Sequence, residues 1–198
     1  MHRRPLCLGL LAPLLAGAAP ARAASDPAVP AIPDDTEALL RRGGLVFAMR
    51  HAQAPGTFDP PGFRLGDCRT QRNLDETGRD QARRIGAWFR HRRLSPTAVL
   101  TSPWCRCRDT AHEAFGGSKD WPALGSPSGA NETTNARHLD QLRRRLAGRR
   151  GQPGFEVWVT HMFVLSALVG QGTASGEGLL LEASADGVVG VLGRAQLF

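Results

Sequence analysis

The sequence predicts an α/β domain in which helices pack on a mostly parallel β-sheet. Two observations indicate this fold class. Short apolar runs that suit buried strands alternate with longer segments whose apolar residues recur at helical spacing. Two of these runs also end in histidine: one leads into Arg50-His51, and the other, Phe155–Thr160, leads into His161. Open α/β sheets bind ligands at the carboxyl ends of their strands, so these endings are candidate site residues.

The elements follow from local patterns. The first helix is expected to begin at Asp34–Glu37, where acidic side chains suit the positive end of a helix dipole, and to end at Gly43-Gly44. A strand over 44–49 comes next, and glycines and prolines then predict an irregular loop over 52–73. The further predicted elements are a helix from Asp75 to about Arg93, a strand over 98–101, a helix over 104–115, a loop over 117–137, a helix over 138–148, a strand over 155–160, a helix over 163–169, and a hairpin of 179–183 and 188–192 around Asp186-Gly187.

The N-terminus has the features of a secretory signal. A basic start at His2–Arg4 precedes an apolar run over 6–19, and Ala21-Arg22-Ala23 fits a small-x-small cleavage site. We therefore expect a signal peptide over 1–23, a flexible lead-in over 24–33 and one domain over 34–198. A short membrane anchor is the alternative, but prolines interrupt a run shorter than a span requires. The expected location is periplasmic or secreted, with no membrane attachment after cleavage and with the general and twin-arginine export routes both open.

The charge pattern favours small anionic ligands over nucleic acid. The formal net charge is +7, and Lys119 is the only lysine, so the basicity is almost entirely arginine. Arginine holds phosphate and carboxylate groups through paired hydrogen bonds. The basic residues are dispersed and have no accompanying aromatic platform, so we expect no nucleic-acid partner.

Three cysteines follow the predicted signal. In an oxidising compartment, Cys68 could form a disulfide with Cys105 or with Cys107, which would leave one free thiol. The Cys105-x-Cys107 spacing is too short for a structural zinc site, so no metal is expected.

Three predicted strands end in groups that suit an anion. Besides Arg50-His51 and His161, the strand over 98–101 leads through Ser102 to Arg106. If the strands are parallel, two arginines and two histidines meet at one sheet edge, in a site of the size of a phosphoryl group.

Four segments, in order, carry a family resemblance. They are Arg50-His51-Ala52, Gly78-Arg-Asp-Gln-Ala82, the S-x-x-x-R-x-x-x-T-A pattern over 102–111, and Val159-Thr160-His161. Together they resemble the histidine phosphatase (phosphoglycerate mutase-like) superfamily. This resemblance implies a three-layer α/β/α sandwich with a mostly parallel central sheet. It also implies that His51 is a nucleophile that forms a phosphohistidine, and that Arg50, Arg106 and His161 surround the phosphoryl oxygens. No cofactor is then required, because the arginines supply the positive charge.

The group that protonates the leaving group is not identified by the motifs. Acid phosphatases of the family often carry an aspartate after the second histidine, where this chain has Met162. Glu177 and Glu132 are candidate general acids. Gln71 and Asn73, in a polar run before the helix at 75, either contact substrate or order the loop.

The expected function is an exported phosphatase that hydrolyses a phosphomonoester, either a small phosphorylated molecule or a phosphopeptide. The alternatives are a phosphate-binding module of the same fold that has lost catalysis, and a phosphoglycerate-type mutase. The sequence does not indicate an oligomeric state.

Overall fold

The computed structural model describes residues 35–198. The predicted signal peptide, the lead-in and Asp34 lie outside the described residues. Within this range, six strands form one sheet in the order β3-β2-β4-β1-β5-β6. The strands are β1 (Leu45–Arg50), β2 (Ala98–Thr101), β3 (Lys119–Asp120), β4 (Phe155–Thr160), β5 (Glu177–Ala183) and β6 (Val189–Gln196).

The centre of the sheet is parallel, as predicted. Strand β4 lies between β1 and β2 and runs parallel to both, with Arg50 opposite Thr160 and Thr101 opposite Val159. Strands β5 and β6 add an antiparallel hairpin at one side. The carboxyl ends of β1, β2 and β4 therefore meet at one edge, and the functional side chains follow those ends.

In the part of the chain that the structure describes, five helices cover the two faces of the sheet. They are α1 (Thr36–Arg42), α2 (Glu76–His91), α3 (Cys105–Phe115), α4 (Glu132–Arg149) and α5 (Met162–Val169). Alternate residues of a strand point to opposite faces. Phe47 of β1 accordingly packs in a core with α1, α2 and α3, whereas Ala48 packs in a second core with α4 and α5. These two cores and the sheet between them make the three-layer α/β/α sandwich that the resemblance implied.

Most predicted elements are confirmed with small boundary shifts. Asp75 caps α2 by accepting a hydrogen bond from the Gly78 N–H, and Gly170 ends α5 in the left-handed conformation. The prediction for 117–137 was wrong in part. That segment holds β3, two 3-10 turns and the first residues of α4, which begins at Glu132 and not at His138.

The early start of α4 has a local cause. Asn131 caps the helix, because its side chain accepts a hydrogen bond from the Thr134 N–H. The buried apolar residues of α4, Leu142 and Leu146, lie in its second half. The first turns of the helix therefore show no apolar periodicity from which a helix could be predicted. Among the described residues, no helix has both the length and the apolar character of a membrane span.

Candidate active site

A cavity of about 530 Å³ opens at the carboxyl ends of β1 and β4. Its walls include all four residues predicted to hold and attack phosphate: Arg50, His51, Arg106 and His161. The parallel sheet explains this convergence. The His51 N–H donates to the Thr160 carbonyl, so the chain leaving β1 is still paired with the end of β4.

His51 is held as a neutral ring with one free nitrogen directed at the arginine. Its Nδ1 lies 2.7 Å from the Ala52 carbonyl oxygen, which can only accept a hydrogen bond, so the ring proton is on Nδ1. Its Nε2 lies 3.2 Å from Nε of Arg106 and accepts that donor. Burial lowers the pKa of His51 to about 3, and the charges of Arg106, Arg50 and Arg72 add to this effect. Nε2 therefore keeps its lone pair at neutral pH, as a nucleophile requires.

His161 lies beside His51, with ring centroids 5.5 Å apart. Its Nδ1 lies 3.4 Å from Nη2 of Arg106, and its Nε2 lies 2.8 Å from the Ser102 hydroxyl. Burial lowers its pKa well below the ordinary value, and the neighbouring His51 and Arg106 act in the same direction. Both histidines are therefore neutral in the free protein.

Two arginines of the cavity are positioned by different secondary-structure elements. Arg106, in the first turn of α3, directs Nε at His51 and Nη2 at His161. Arg50, the last residue of β1, donates from Nη1 to the Thr173 carbonyl at 3.1 Å, which ties it to the loop before β5. Arginines held in this way can bind phosphoryl oxygens without rearranging during the reaction.

The other residues of the motifs hold the frame together. The Thr110 hydroxyl donates to the Arg106 carbonyl and accepts from the Ala52 N–H, so it joins α3 to the residue after His51. Gln81 joins α2 to two loops, accepting from the Gln53 N–H and donating to the Ser175 carbonyl. These side chains set the distance between the helices and the end of β1.

The structure adds two cavity residues that were not named as candidates, although Arg72 belongs to the polar run before the helix at 75. Arg72 and Asp59 both line the cavity, and both come from the irregular loop after β1. Asp59 accepts from Nη1 of Arg106 at 2.8 Å, from the Arg72 backbone N–H at 3.0 Å and from Nε1 of Trp104 at 3.2 Å. Although burial opposes its ionisation, these donors lower the pKa of Asp59. The signal in the sequence was only an aspartate within a long loop that follows the predicted nucleophile.

The two glutamates considered as general acids do not line the cavity. Glu132 is exposed in the first turn of α4. Glu177 is buried, but both of its oxygens lie 2.9 Å from Nη1 of Arg194, and one also accepts from the Ala174 N–H. Glu177 therefore orders the loop that positions Arg50, and it lies outside the cavity in which a substrate would bind.

Gln71 and Asn73 also lie outside the cavity wall. The Gln71 side chain accepts from the Cys105 N–H and donates to the Arg64 carbonyl, and Asn73 donates to the Cys68 carbonyl. Of the two interpretations left open, the structure supports the ordering of the loop.

A disulfide links Cys68 to Cys105, one of the two pairings predicted. It attaches the loop that carries Asp59 to the residue before Arg106. Cys107 is the free cysteine of the described residues, and burial raises the pKa of its thiol to about 12, so it stays protonated. Within 35–198, no cluster of three or more histidine, cysteine or acidic side chains is placed to hold a metal ion.

The charged groups of the cavity suit one phosphate ester. Among the described residues of its wall, Arg50, Arg72 and Arg106 contribute three positive charges, Asp59 contributes one negative charge, and the two histidines are neutral. The balance of two positive charges matches the two negative charges of a phosphomonoester dianion.

Comparison with known proteins agrees with this geometry. The family model described as "Histidine phosphatase superfamily (branch 1)" matches residues 46–124, a range that contains Arg50, His51 and Arg106. A search of curated protein sequences found no significant match.

Solved structures share the fold at low sequence identity. The protein histidine phosphatase SixA, solved with tungstate, has a TM-score of 0.53 and 18% identity, over 76% of this chain and 95% of that chain. The open reading frame Rv3214 of Mycobacterium tuberculosis has a TM-score of 0.57 and 16% identity, over 75% and 95%. YhfR of Bacillus stearothermophilus has a TM-score of 0.54 and 15% identity, over 75% and 95%.

Proposed function

We propose that this chain, which belongs to the histidine phosphatase superfamily, hydrolyses a phosphomonoester through a phosphohistidine on His51. Members of the superfamily are phosphatases or mutases. One observation carries the proposal: the unprotonated Nε2 of His51 faces Arg106 at 3.2 Å in a cavity that also contains Arg50 and His161. A nucleophile and the charges that hold its target are therefore in one place.

In the first step, the phosphoryl group replaces the contact between His51 and Arg106. Nε2 of His51 forms a bond to phosphorus while the bond from phosphorus to the ester oxygen breaks. The guanidinium groups of Arg50 and Arg106 and the ring of His161 hold the non-bridging oxygens and stabilise their charge. The backbone carbonyl of Ala52 keeps the proton on Nδ1 of His51 and stabilises the positively charged imidazole ring of the intermediate.

Asp59 is the carboxyl group that we assign to proton transfer. A bound phosphate dianion places negative charge beside Asp59 and raises its pKa, which favours the protonated form that a general acid needs. Asp59 then gives its proton to the leaving oxygen. In the second step the Asp59 carboxylate takes a proton from a water molecule, and the oxygen of that water bonds to phosphorus. The bond between phosphorus and Nε2 of His51 breaks at the same time, and inorganic phosphate leaves.

The test is phosphate release by the His51→Ala variant. We expect turnover of an aryl phosphate to fall at least about a thousandfold, because the covalent route is removed. A phosphohistidine should be trapped in the unaltered protein by a quench that avoids acid, and it should be absent from the variant. His91→Ala, at an exposed histidine of α2, is the matched control and should retain full activity. Undiminished turnover by His51→Ala would sink the mechanism.

The same quench separates the two alternatives. A binding module without catalysis would bind phosphate esters but form no phosphohistidine. A mutase would form one and return the phosphoryl group to another hydroxyl of the substrate, with little release of free phosphate.

We also propose that the protein is exported and works in the periplasm or outside the cell. The predicted signal peptide supports this proposal. The Cys68–Cys105 disulfide is a second support, because disulfides persist in oxidising compartments and are rare in the reducing cytosol. The test is the processing and oxidation state of the chain when it is expressed from Met1.

A further inference from the structure

We propose that the substrate carries an apolar leaving group, with an aromatic ring or a similar flat hydrocarbon near the ester oxygen, and has no second anionic group. This inference rests on the proposed phosphatase function, since it concerns the part of the same cavity that would hold the leaving group. It names a class of phosphomonoester and not an individual metabolite.

The cavity is larger than a phosphoryl group requires. Its volume of about 530 Å³ lies in the range of pockets that enclose a drug-sized ligand, roughly 300–1,000 Å³. The groups that would hold phosphate lie close together, because Arg106 contacts both His51 and His161. The rest of the wall is available to the other half of the substrate.

That remaining wall is rich in apolar side chains. Phe58 and Phe163 line it while being 76% and 51% exposed, although large apolar side chains are normally buried. Phe63 and Met162 extend the same wall, and Phe63 is stacked on Trp104 with ring centroids 5.7 Å apart. Exposed apolar side chains that line a cavity are typical of a binding site, and here they would cover a ring or hydrocarbon chain.

Phe58 and Phe163 are distinct from other exposed apolar residues. Among the described residues, Leu65, Val188 and Leu192 are also large, apolar and exposed, but none of these three lines this cavity. Phe163 directly follows Met162 after the site histidine, and Phe58 directly precedes Asp59. Each phenylalanine therefore projects from a segment that also carries a reacting group.

The charge of the wall argues against a second anion. The arginines of the described wall lie beside the phosphate end. Arg106 contacts both site histidines, and Arg50 directly precedes His51 in the sequence. Arg72 donates to the carbonyl of Ala54, three residues after His51. In the rest of the described wall the polar side chains are neutral, with Ser126 and Ser128 hydrogen-bonded to each other, and Asp59 is the only charged group. A carboxylate or second phosphate on the leaving group would face apolar surface and the charge of Asp59.

Three matched alkyl phosphates test the proposal on the unaltered protein. Propyl phosphate is the reference, 2-phenylethyl phosphate adds a ring, and 2-carboxyethyl phosphate adds a carboxylate. Because all three leave as primary alcohols, differences in kcat/KM report mainly on binding of the leaving group. We expect the ring to raise kcat/KM about tenfold or more and the carboxylate to lower it about tenfold.

Variants locate the effect. Phe58→Ala and Phe163→Ala should each move the ratio of kcat/KM for phenylethyl over propyl phosphate towards one. Leu65→Ala is the matched control, since Leu65 is 52% exposed on the same loop as Phe58 but does not line the cavity. It should leave the ratio unchanged. Equal kcat/KM for the two esters, or an equal loss for both in the phenylalanine variants, would overturn the proposal.

A binding measurement separates failure of this inference from failure of the proposed function. Calorimetry with His51→Ala reports the affinity for the same esters without turnover, and tighter binding of the phenylethyl ester is expected. Hydrolysis without a preference for the ring overturns only the substrate class. Absence of hydrolysis and of phosphohistidine overturns the proposed function, and the inference with it.

Discussion

Asp59 has contacts that suit two different roles, and its side chain is 12% exposed. It orients Arg106 through a 2.8 Å ion pair, and among the described residues it is the only carboxylate in the cavity wall. Loss of a positioning role would lower the turnover of every substrate equally, because in the proposed mechanism Arg106 holds the phosphoryl group that all substrates share. A proton donor matters only when the leaving oxygen needs a proton. The dependence on leaving group therefore separates the two roles.

The variant Asp59→Asn keeps an oxygen that can accept from Arg106 and removes the exchangeable proton. For propyl phosphate, whose alkoxide is a poor leaving group, we expect kcat to fall about a hundredfold or more. For p-nitrophenyl phosphate, whose phenolate leaves without a proton, the fall should be less than about tenfold. Asp120→Asn is the control, at an exposed aspartate paired with Arg108 outside the cavity. Equal losses on the two substrates would assign Asp59 to positioning alone.

At the scale of elements, the loop between β1 and α2 is the part that makes this site specific. It supplies Asp59, Phe58 and Arg72, and it has no regular structure apart from a 3-10 turn over Cys68–Thr70. Arg72 stabilises this loop internally, because its side chain donates hydrogen bonds to the Ala54 and Gly56 carbonyls. The Cys68–Cys105 disulfide fixes its far end to the start of α3, and with it the position of Asp59 relative to Arg106.

The disulfide should therefore matter for both stability and activity. The bridge joins two cysteines with a sequence separation of 37. Because it lowers the conformational entropy of the unfolded chain, it should stabilise the folded state by about 4 kcal/mol.

A chain expressed from Met1 should be recovered from the periplasm, start at Ala24 and contain the bridge, as shown by non-reducing peptide mapping. Reductant should then lower both Tm and kcat/KM.

The double variant Cys68→Ser/Cys105→Ser is the control for that experiment. It should have the lower Tm at the outset and should not respond to reductant. Recovery of an unprocessed chain from the cytosol would contradict export. A Tm that reductant leaves unchanged in the unaltered protein would contradict the structural role of the bridge.

At the scale of the whole molecule, the sheet explains which features the sequence could predict. Apolar runs of strand length locate β1, β2 and β4, and their parallel pairing brings Arg50, Arg106 and His161 together, so the convergence of these side chains was predictable. The family motifs added the roles that we propose for these residues. The start of α4 was not predicted because its first turns are polar and show no helical periodicity of apolar residues.

The other half of the site was not predictable for a physical reason. The loop after β1 takes its shape from contacts with distant residues, such as the hydrogen bonds of Asp59 with Arg106 and Trp104 and of Gln71 with Cys105. No local propensity encodes these contacts. The sequence accordingly indicates Glu132 and Glu177 as candidate proton donors, whereas tertiary structure places Asp59 in the cavity.

The same burial that prepares the site links the stability of the whole domain to pH. In the unfolded chain His51 takes up a proton near pH 6.5, but in the folded protein its pKa is about 3. Below pH 6.5 the unfolded state therefore binds more protons, and the free energy of unfolding falls as the pH decreases towards 3. His161 is shifted in the same direction and adds to the loss.

For His51 alone, lowering the pH from 7.5 to 5 should cost about 2 kcal/mol of stability. Urea unfolding at pH 7.5 and pH 5 measures this loss. His51→Gln should lose about 2 kcal/mol less than the unaltered protein over that interval, because the titrating group is gone. His91→Gln, at an exposed position, should lose as much as the unaltered protein. If His51→Gln and the unaltered protein lost stability equally, His51 would not be the buried neutral base on which the proposed chemistry depends.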